Sequence, residues 1–199
     1  MKPPPLTRSE AYAERLETLG GAGWKRWLDV QRPYRRHLRR LALGFTLEVG
    51  CGLGRNLLHL ERHGVGVEHN PRAVEIARRR GCTVMLPEEF RTSDYARPGR
   101  FDSLLLAHVV EHMSLAEAVA LVGEHLGFVR NGGTVVLIAP QEAGFRSDPT
   151  HVEFMDAPKL LHILESNGVT AQRAYSFPLP RVAGRVFTHN EFVVIGRKP

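Results

Sequence analysis

Cysteine is scarce in this chain, which has only two such residues among 199. Cys51 and Cys82 lie far apart and form no spacing typical of a metal or redox site. The sequence therefore argues against a disulfide framework and a cysteine-based metal centre. It favours a reducing compartment.

Long apolar runs are also absent. No apolar region typical of a secretion signal follows Met1–Pro5, and no run approaches the length that a bilayer-spanning helix needs. We therefore expect no membrane association and a cytoplasmic location.

Neither an internal repeat nor a linker interrupts the chain, and a hydrophobic content of 43% is enough for a sizeable core. From Phe45 onward, predicted strands and helices alternate, which favours a mainly parallel sheet with helices on both faces. The last predicted elements are a helix from about Ala157 to Ser166 and strands at Val169–Tyr175 and Glu191–Gly196. Residues 1–44 have helical character, with a break at Gly20–Gly23. They are predicted to form a helical cap on the same domain.

A glycine cluster follows the first predicted strand, Phe45–Val49. This strand is short and apolar, and the residues from Asn56 onward have helical spacing. Gly50, Gly52 and Gly54 allow the backbone to turn sharply and to approach a ligand closely. The pattern predicts a strand, a glycine turn and a helix that together hold a nucleotide-type cofactor.

A second predicted strand, Val65–Val67, ends at Glu68. A carboxylate in this place can accept hydrogen bonds from both hydroxyls of a ribose. Arg55 stands where a dinucleotide fingerprint would have its third glycine, so the loop reads G-x-G-x-G. This difference favours a cofactor other than a dinucleotide.

The combination resembles the class I S-adenosylmethionine-dependent methyltransferases. The resemblance runs from Glu48 to Pro140 through the segments Phe101–Ala107, His108–His112 and Asn131–Pro140. It implies a Rossmann-like α/β fold over residues 45–199, with seven strands, a mainly parallel sheet, helices on both faces and an antiparallel last strand. The residues that it implies for S-adenosylmethionine binding are Glu48, Gly50, Cys51, Gly52, Gly54, Glu68, Pro87, Glu88 and His108.

The predicted fourth strand is followed by the pattern His108-x-x-Glu111-His112. Positions i, i+3 and i+4 share one face of a helix and can converge on a single cation. His151 lies downstream, in a loop expected at the same end of the sheet. Inverted zinc proteases contain the bare pattern too, but on a helix of a different fold, so its place here excludes a protease.

Among methyltransferases, this pattern resembles a metal-dependent O-methyltransferase subset that includes ubiquinone-pathway enzymes and small-RNA terminal ribose 2′-O-methyltransferases. The resemblance implies a divalent cation held by Glu111, His112 and His151, with His108 where the subset usually has Glu. Magnesium or manganese is the expected ion, with zinc ranked after them. The imidazoles suit a first-row ion such as manganese or zinc better than magnesium, which prefers oxygen ligands. The alternative is that these side chains cap a helix and line the methionine pocket.

Methyl transfer is an in-line displacement, for which the enzyme positions donor and acceptor and helps to remove the acceptor's proton. A cation lowers the pKa of a hydroxyl, and His151 or Glu153 is the predicted catalytic base. Because an amine or a thiol needs no metal, the cluster favours an oxygen acceptor.

Polar and basic residues are common in the predicted late loops, where aromatic residues are few. They suit a small hydroxyl-rich acceptor such as a carbohydrate. The residues concerned are Gln141, Arg146, Arg181, Arg185 and His189.

The net charge of +6 includes a basic cluster at Arg32–Arg40. Such a cluster can meet the phosphates of RNA, but Leu38 and Leu41 within and beside it favour an amphipathic helix with a solvated basic face. The other hypotheses are a metal-independent small-molecule methyltransferase, an RNA terminal ribose methyltransferase and a non-catalytic cofactor-binding protein. A homodimer formed through the N-terminal helices is a further hypothesis.

Overall fold

The computed structural model describes residues 32–199, so the helices predicted before residue 32 lie outside the described residues. The strands are β1 Thr46–Val49, β2 Gly64–Val67, β3 Thr83–Met85, β4 Phe101–Ala107, β5 Val129–Pro140, β6 Thr170–Phe177 and β7 Glu191–Arg197. The helices are α1 Arg32–Arg40, α2 Arg55–His59, α3 Pro71–Arg79, α4 Pro87–Thr92, α5 Leu115–Leu126, α6 Glu142–Arg146 and α7 Ala157–Ser166. Short 3₁₀ turns are Val110–His112 and Arg181–Arg185.

The seven strands form one sheet in the order β3-β2-β1-β4-β5-β7-β6. Strands β1 to β5 pair in parallel with their neighbours, whereas β7 runs antiparallel to both β5 and β6. The predicted Rossmann-like α/β fold with an antiparallel last strand is confirmed. No helix within residues 32–199 is long and apolar enough to span a lipid bilayer.

The central strands are buried on both faces, as expected of a parallel sheet covered by helices. In β4, Leu104, Leu105 and Leu106 are at most 1% exposed. Leu104 and Leu106 pack in one core cluster with residues of α5 and α7. Leu105 packs in another, which includes Leu38 of α1.

Helix α1 is the described part of the predicted basic segment. Leu38 is fully buried against the sheet, while Arg32, Arg36 and Arg40 are exposed. The prediction of an amphipathic helix with a solvated basic face is confirmed for these residues. By this packing, α1 lies over the face of the sheet that includes Tyr175 and Phe177.

Local signals fix α7 where the sequence predicts it. The Asp156 side chain accepts a hydrogen bond from the N–H of Lys159, and Pro158 occupies the first turn. The two strands after this helix also lie where the sequence predicts them.

Candidate functional site

The loop after β1 turns back toward β2. The N–H groups of Gly50 and Cys51 both donate to the Val67 carbonyl, at 2.7 and 3.3 Å. Gly50, Gly52 and Gly54 have φ values of 70°, 52° and 74°. These values lie in the left-handed region, which favours glycine.

Two of these glycines are required by contacts within the protein. A Cβ at Gly50 would lie 2.5 Å from the Val109 side chain, and one at Gly54 would lie 3.0 Å from the Cys82 sulfur. The sequence pattern predicts that both glycines allow the backbone to approach a ligand closely. Packing against neighbouring elements accounts for them as well.

Cys51 contributes its backbone to this loop, because its side chain is part of the core. The thiol is buried beside Gly66, and burial raises its pKa well above the usual range. A protonated, buried sulfur has no route to a ligand in the loop.

Glu68 fastens the glycine loop to the end of β2. One carboxylate oxygen accepts a hydrogen bond from the Gly52 N–H at 2.8 Å, and the other accepts one from the Asn70 N–H at 2.9 Å. Each oxygen has a second lone pair, so the carboxylate can also accept from ribose hydroxyls. Its position fits the predicted role.

Glu48 lies at the end of β1 and is 1% exposed. The Asn56 side-chain amide donates to its Oε1 atom at 2.7 Å, whereas Oε2 is buried with no hydrogen-bond partner among the described residues. Burial raises the pKa of this carboxyl to about 8. A buried carboxyl oxygen of this kind needs a hydrogen-bond partner, which a bound ligand can supply.

Pro87 and Glu88 begin helix α4 after β3, at the same end of the parallel sheet as Glu48 and Glu68. Glu88 is exposed, while the adjacent Glu89 accepts hydrogen bonds from the Leu86 N–H and from an arginine. Their predicted role beside the adenine ring stays a prediction.

The segment His108–His112 does not form the helix that the sequence predicts. His108 follows β4 with a φ of 60°, and only Val110–His112 forms a single 3₁₀ turn. A common helical face for His108, Glu111 and His112 is therefore wrong, because the backbone at His108 is left-handed.

Glu111, His112 and His151 lie together, with one ligand atom of each within 4.8 Å of the others. Glu111 is fully buried, and neither of its carboxylate oxygens has a hydrogen-bond partner among residues 32–199. Such a carboxylate is costly unless positive charge balances it, and the His108 ring, 3.4 Å away, supplies part of that charge. This donor set can hold a divalent cation.

Backbone contacts orient the two histidine rings. The His151 Nδ1 atom lies 2.7 Å from the Phe145 carbonyl, so Nδ1–H donates there and Nε2 is the acceptor nitrogen, 4.0 Å from Glu111. The His112 Nδ1 atom lies 3.2 Å from the Thr150 carbonyl, and burial lowers its pKa. Imidazole rings that a backbone carbonyl orients in this way are typical of metal ligands.

His108 lies outside this cluster and bridges two carboxylates. Its Nε2 atom is 2.8 Å from Glu191, and its Nδ1 atom is 3.4 Å from Glu111. Burial alone would lower the pKa of His108, but the two carboxylates outweigh burial and raise it to about 10. Both ring nitrogens face carboxylates and His108 is not part of the three-residue cluster, so this geometry argues against the predicted ligand role of His108.

The carboxylate of Glu153 forms hydrogen bonds with groups outside the cluster of Glu111, His112 and His151. Its carboxylate oxygens accept hydrogen bonds from the Leu115 N–H at 2.8 Å and from Lys159 at 2.7 Å. Bonding to Lys159 and then to Leu115 lowers its pKa. These contacts fix the start of α5, so the geometry favours a structural role for Glu153 over the predicted role of base.

Two buried polar groups beside the site carried no strong sequence signal. The hydroxyl of Tyr34 and the Oε2 atom of Glu191 are buried without a hydrogen-bond partner in the described part of the chain. Burial, followed by the charge of Glu191, raises the pKa of Tyr34. Tyr34 lies in α1 and Glu191 begins β7, so these residues are distant in the sequence and only the tertiary fold brings them together.

The polar late-loop residues largely contact one another. Arg181 pairs with Glu142, and the Gln141 side chain bonds Asn190 and Ser176. These contacts order the loops at this end of the sheet.

Residues 47–137 match the sequence model of a family described as "Methyltransferase domain". A comparison with curated protein sequences found no match. This stretch contains the glycine loop, Glu68 and the His108–His112 segment. The match supports a methyltransferase.

Solved structures share the fold over nearly the whole chain. A SAM-dependent methyltransferase from Archaeoglobus fulgidus is 18% identical, with a TM-score of 0.68 and coverage of 95% of this chain and 100% of that one. Magnesium protoporphyrin IX methyltransferase from Synechocystis with bound SAM is 15% identical, with a TM-score of 0.66 and coverages of 97% and 93%. Geranyl diphosphate C-methyltransferase from Streptomyces coelicolor, in complex with Mg²⁺, geranyl diphosphate and S-adenosyl-L-homocysteine, is 12% identical, with a TM-score of 0.66 and coverages of 86% and 80%.

Proposed function

We propose that this chain, a methyltransferase of the S-adenosylmethionine-dependent class by its matched domain and its fold, methylates a hydroxyl of a small acceptor with the help of a divalent cation. The observation that carries this proposal is the buried carboxylate of Glu111, which accepts no hydrogen bond within residues 32–199 and lies beside His112 and His151. A carbohydrate or another polyhydroxylated molecule is the proposed acceptor.

The cofactor end of the site consists of Glu48, Gly52 and Glu68. In this proposal Glu68 accepts from the ribose, and the free oxygen of Glu48 forms a hydrogen bond with a polar group of the methionine portion. SAM and its product occur in fold relatives of this chain, which supports the same cofactor here.

The metal end consists of Glu111, His112 and His151. A bound cation would lower the pKa of an acceptor hydroxyl and fix its direction. Three protein ligands leave coordination positions for acceptor oxygens, so two adjacent hydroxyls suit the site. One carboxylate with two imidazoles suits a first-row ion, which makes manganese the first ion to test, followed by magnesium and zinc.

Binding of Mn²⁺ to the chelator-treated protein tests the metal site directly. We expect calorimetry to detect one Mn²⁺ per chain, and we expect Glu111→Gln and His112→Ala to abolish this binding. Glu165→Gln and His162→Ala are the matched controls, because Glu165 and His162 are exposed, and both should bind Mn²⁺ like the wild type. Equal binding by all four variants would refute the site.

A further inference from the structure

A cavity of about 490 Å³ lies beside helix α1. This volume is typical of a small-molecule site. The residues that line it are Arg32, Pro33, Arg36, His37, Arg40 and Phe177.

Three of these residues form a positive stripe. Arg32, Arg36 and Arg40 are four residues apart, so they share one side of α1 and are exposed there. None of them forms an ion pair within residues 32–199, whereas the neighbouring Arg39 pairs with Glu61 at 3.1 Å. Like charges at this spacing destabilise a helix, so a bound anion would stabilise the stripe.

One side chain that lines the cavity, His37, has a ring nitrogen with no hydrogen-bond partner in the described part of the chain. The ring of His37 stacks on Phe177 at a centroid distance of 4.0 Å, and its Nε2 atom lies 2.7 Å from the Tyr175 hydroxyl. Its Nδ1 atom is buried without a hydrogen-bond partner among the described residues. When Tyr175 donates to Nε2, Nδ1 carries a proton and needs an acceptor.

Short contacts connect this cavity to the candidate metal cluster. Phe177 is directly opposite Glu191 in the pairing of β6 with β7. Glu191 contacts His108, and His108 contacts Glu111. These contacts place the arginine stripe and the cluster on neighbouring parts of the fold.

We propose that Arg32, Arg36 and Arg40 bind the phosphate group of a small phosphorylated molecule. Guanidinium groups match phosphate oxygens in geometry and charge, and three of them balance a multiply charged anion better than a single carboxylate. The cavity's limited size favours a small molecule over a nucleic acid. The idea that this molecule is also the methyl acceptor rests on the proposed function. The anion site itself does not depend on that function.

Inorganic pyrophosphate is a suitable probe, titrated calorimetrically in the presence of a chelator so that no cation can hold it at Glu111. We expect one site per chain. Arg36→Gln should weaken binding about tenfold, and Arg36→Lys should weaken it less, because a lysine keeps the charge but loses the fork of donors. Arg79→Gln is the control for the loss of one positive charge, because Arg79 is exposed, and it should leave pyrophosphate binding unchanged.

S-adenosylmethionine binding should be equal in all these variants, which shows that the fold and the cofactor site are intact. Absence of pyrophosphate binding, or an equal loss in Arg79→Gln, would overturn the anion site. Binding of a single-stranded RNA through the three arginines without binding of pyrophosphate would overturn it as well. Because no metal is present, each of these outcomes leaves the O-methyltransferase proposal to its own test.

Discussion

His151 donates its Nδ1–H to the Phe145 carbonyl at 2.7 Å, and its other ring nitrogen lies 4.0 Å from the buried carboxylate of Glu111. The backbone thereby fixes both the tautomer and the direction of the ring. The same loop also contacts Glu111 through its backbone, since the Val152 N–H donates to the Glu111 carbonyl at 2.8 Å. Two distant parts of the sequence thus meet in the candidate metal cluster, with the ring of His151 already oriented.

Replacement of His151 by alanine should abolish stabilisation of the protein by manganese. At about 100 times its Kd, a ligand of the native state raises the free energy of unfolding by about 2.7 kcal/mol. We expect this gain in the wild type and none in His151→Ala, measured by urea unfolding with and without Mn²⁺. His162→Ala should behave like the wild type, and a full gain in His151→Ala would contradict the site.

Replacement of Glu68 by alanine should weaken S-adenosylmethionine binding at least about tenfold, the effect of losing roughly one charge-assisted hydrogen bond. The carboxylate holds the Gly52 N–H at 2.8 Å and is proposed to accept from the ribose, so the variant should lose a ligand contact and loop order together. Calorimetry gives the affinity, and circular dichroism checks the fold. Glu75→Ala, on the exposed side of α3, is the control. Unchanged affinity would remove Glu68 from the site.

Replacement of Gly50 by alanine should destabilise the protein by about 1–3 kcal/mol, because a non-glycine residue is strained in left-handed backbone. The added Cβ would also lie 2.5 Å from the Val109 side chain. Urea unfolding of Gly50→Ala, Val109→Ala and the double variant separates the two costs. The double variant should recover the part caused by the collision but not the backbone strain. Purely additive effects would show that Val109 plays no part.

Replacement of Glu48 by glutamine should change how stability depends on pH. Burial raises the pKa of Glu48 from 4.5 to about 8 in the folded protein. Between these values the folded protein keeps a proton that the unfolded chain releases, so this group lowers the free energy of unfolding as pH rises. The wild type should therefore lose more stability than Glu48→Gln between about pH 5 and about pH 8.

Urea unfolding at several pH values measures this difference. Glu75→Gln is the control, because Glu75 is exposed. Parallel curves for the wild type and Glu48→Gln would show that Glu48 is ionised in the folded protein.

The sequence predicts the fold well because its signals are local. The apolar run at Leu104–Leu106 is typical of a strand buried on both faces, and the glycine cluster after Val49 marks the turn from a strand into a helix. The antiparallel last strand came from the family resemblance, since no local pattern sets the order of β6 and β7 in the sheet.

The candidate site is less accessible to sequence reasoning, because contacts between distant residues decide it. The spacing of His108 and Glu111 suggests a shared helix face, but the φ of 60° at His108 turns the ring toward Glu191 on another strand. The sequence likewise cannot show that Lys159 and the Leu115 N–H occupy Glu153. Conversely, the sequence gives no sign that the hydroxyl of Tyr34 is buried, because its burial results from the packing of α1 on the sheet.

Methyl transfer from labelled S-adenosylmethionine to catechol and to simple sugars, measured before and after chelation, tests the central claim most directly. We expect transfer to oxygen that chelation abolishes and that Mn²⁺ or Mg²⁺ restores, with Glu111→Gln inactive under all conditions and Glu165→Gln fully active. Full activity in the chelated protein, or in Glu111→Gln, would contradict the metal-dependent O-methyltransferase.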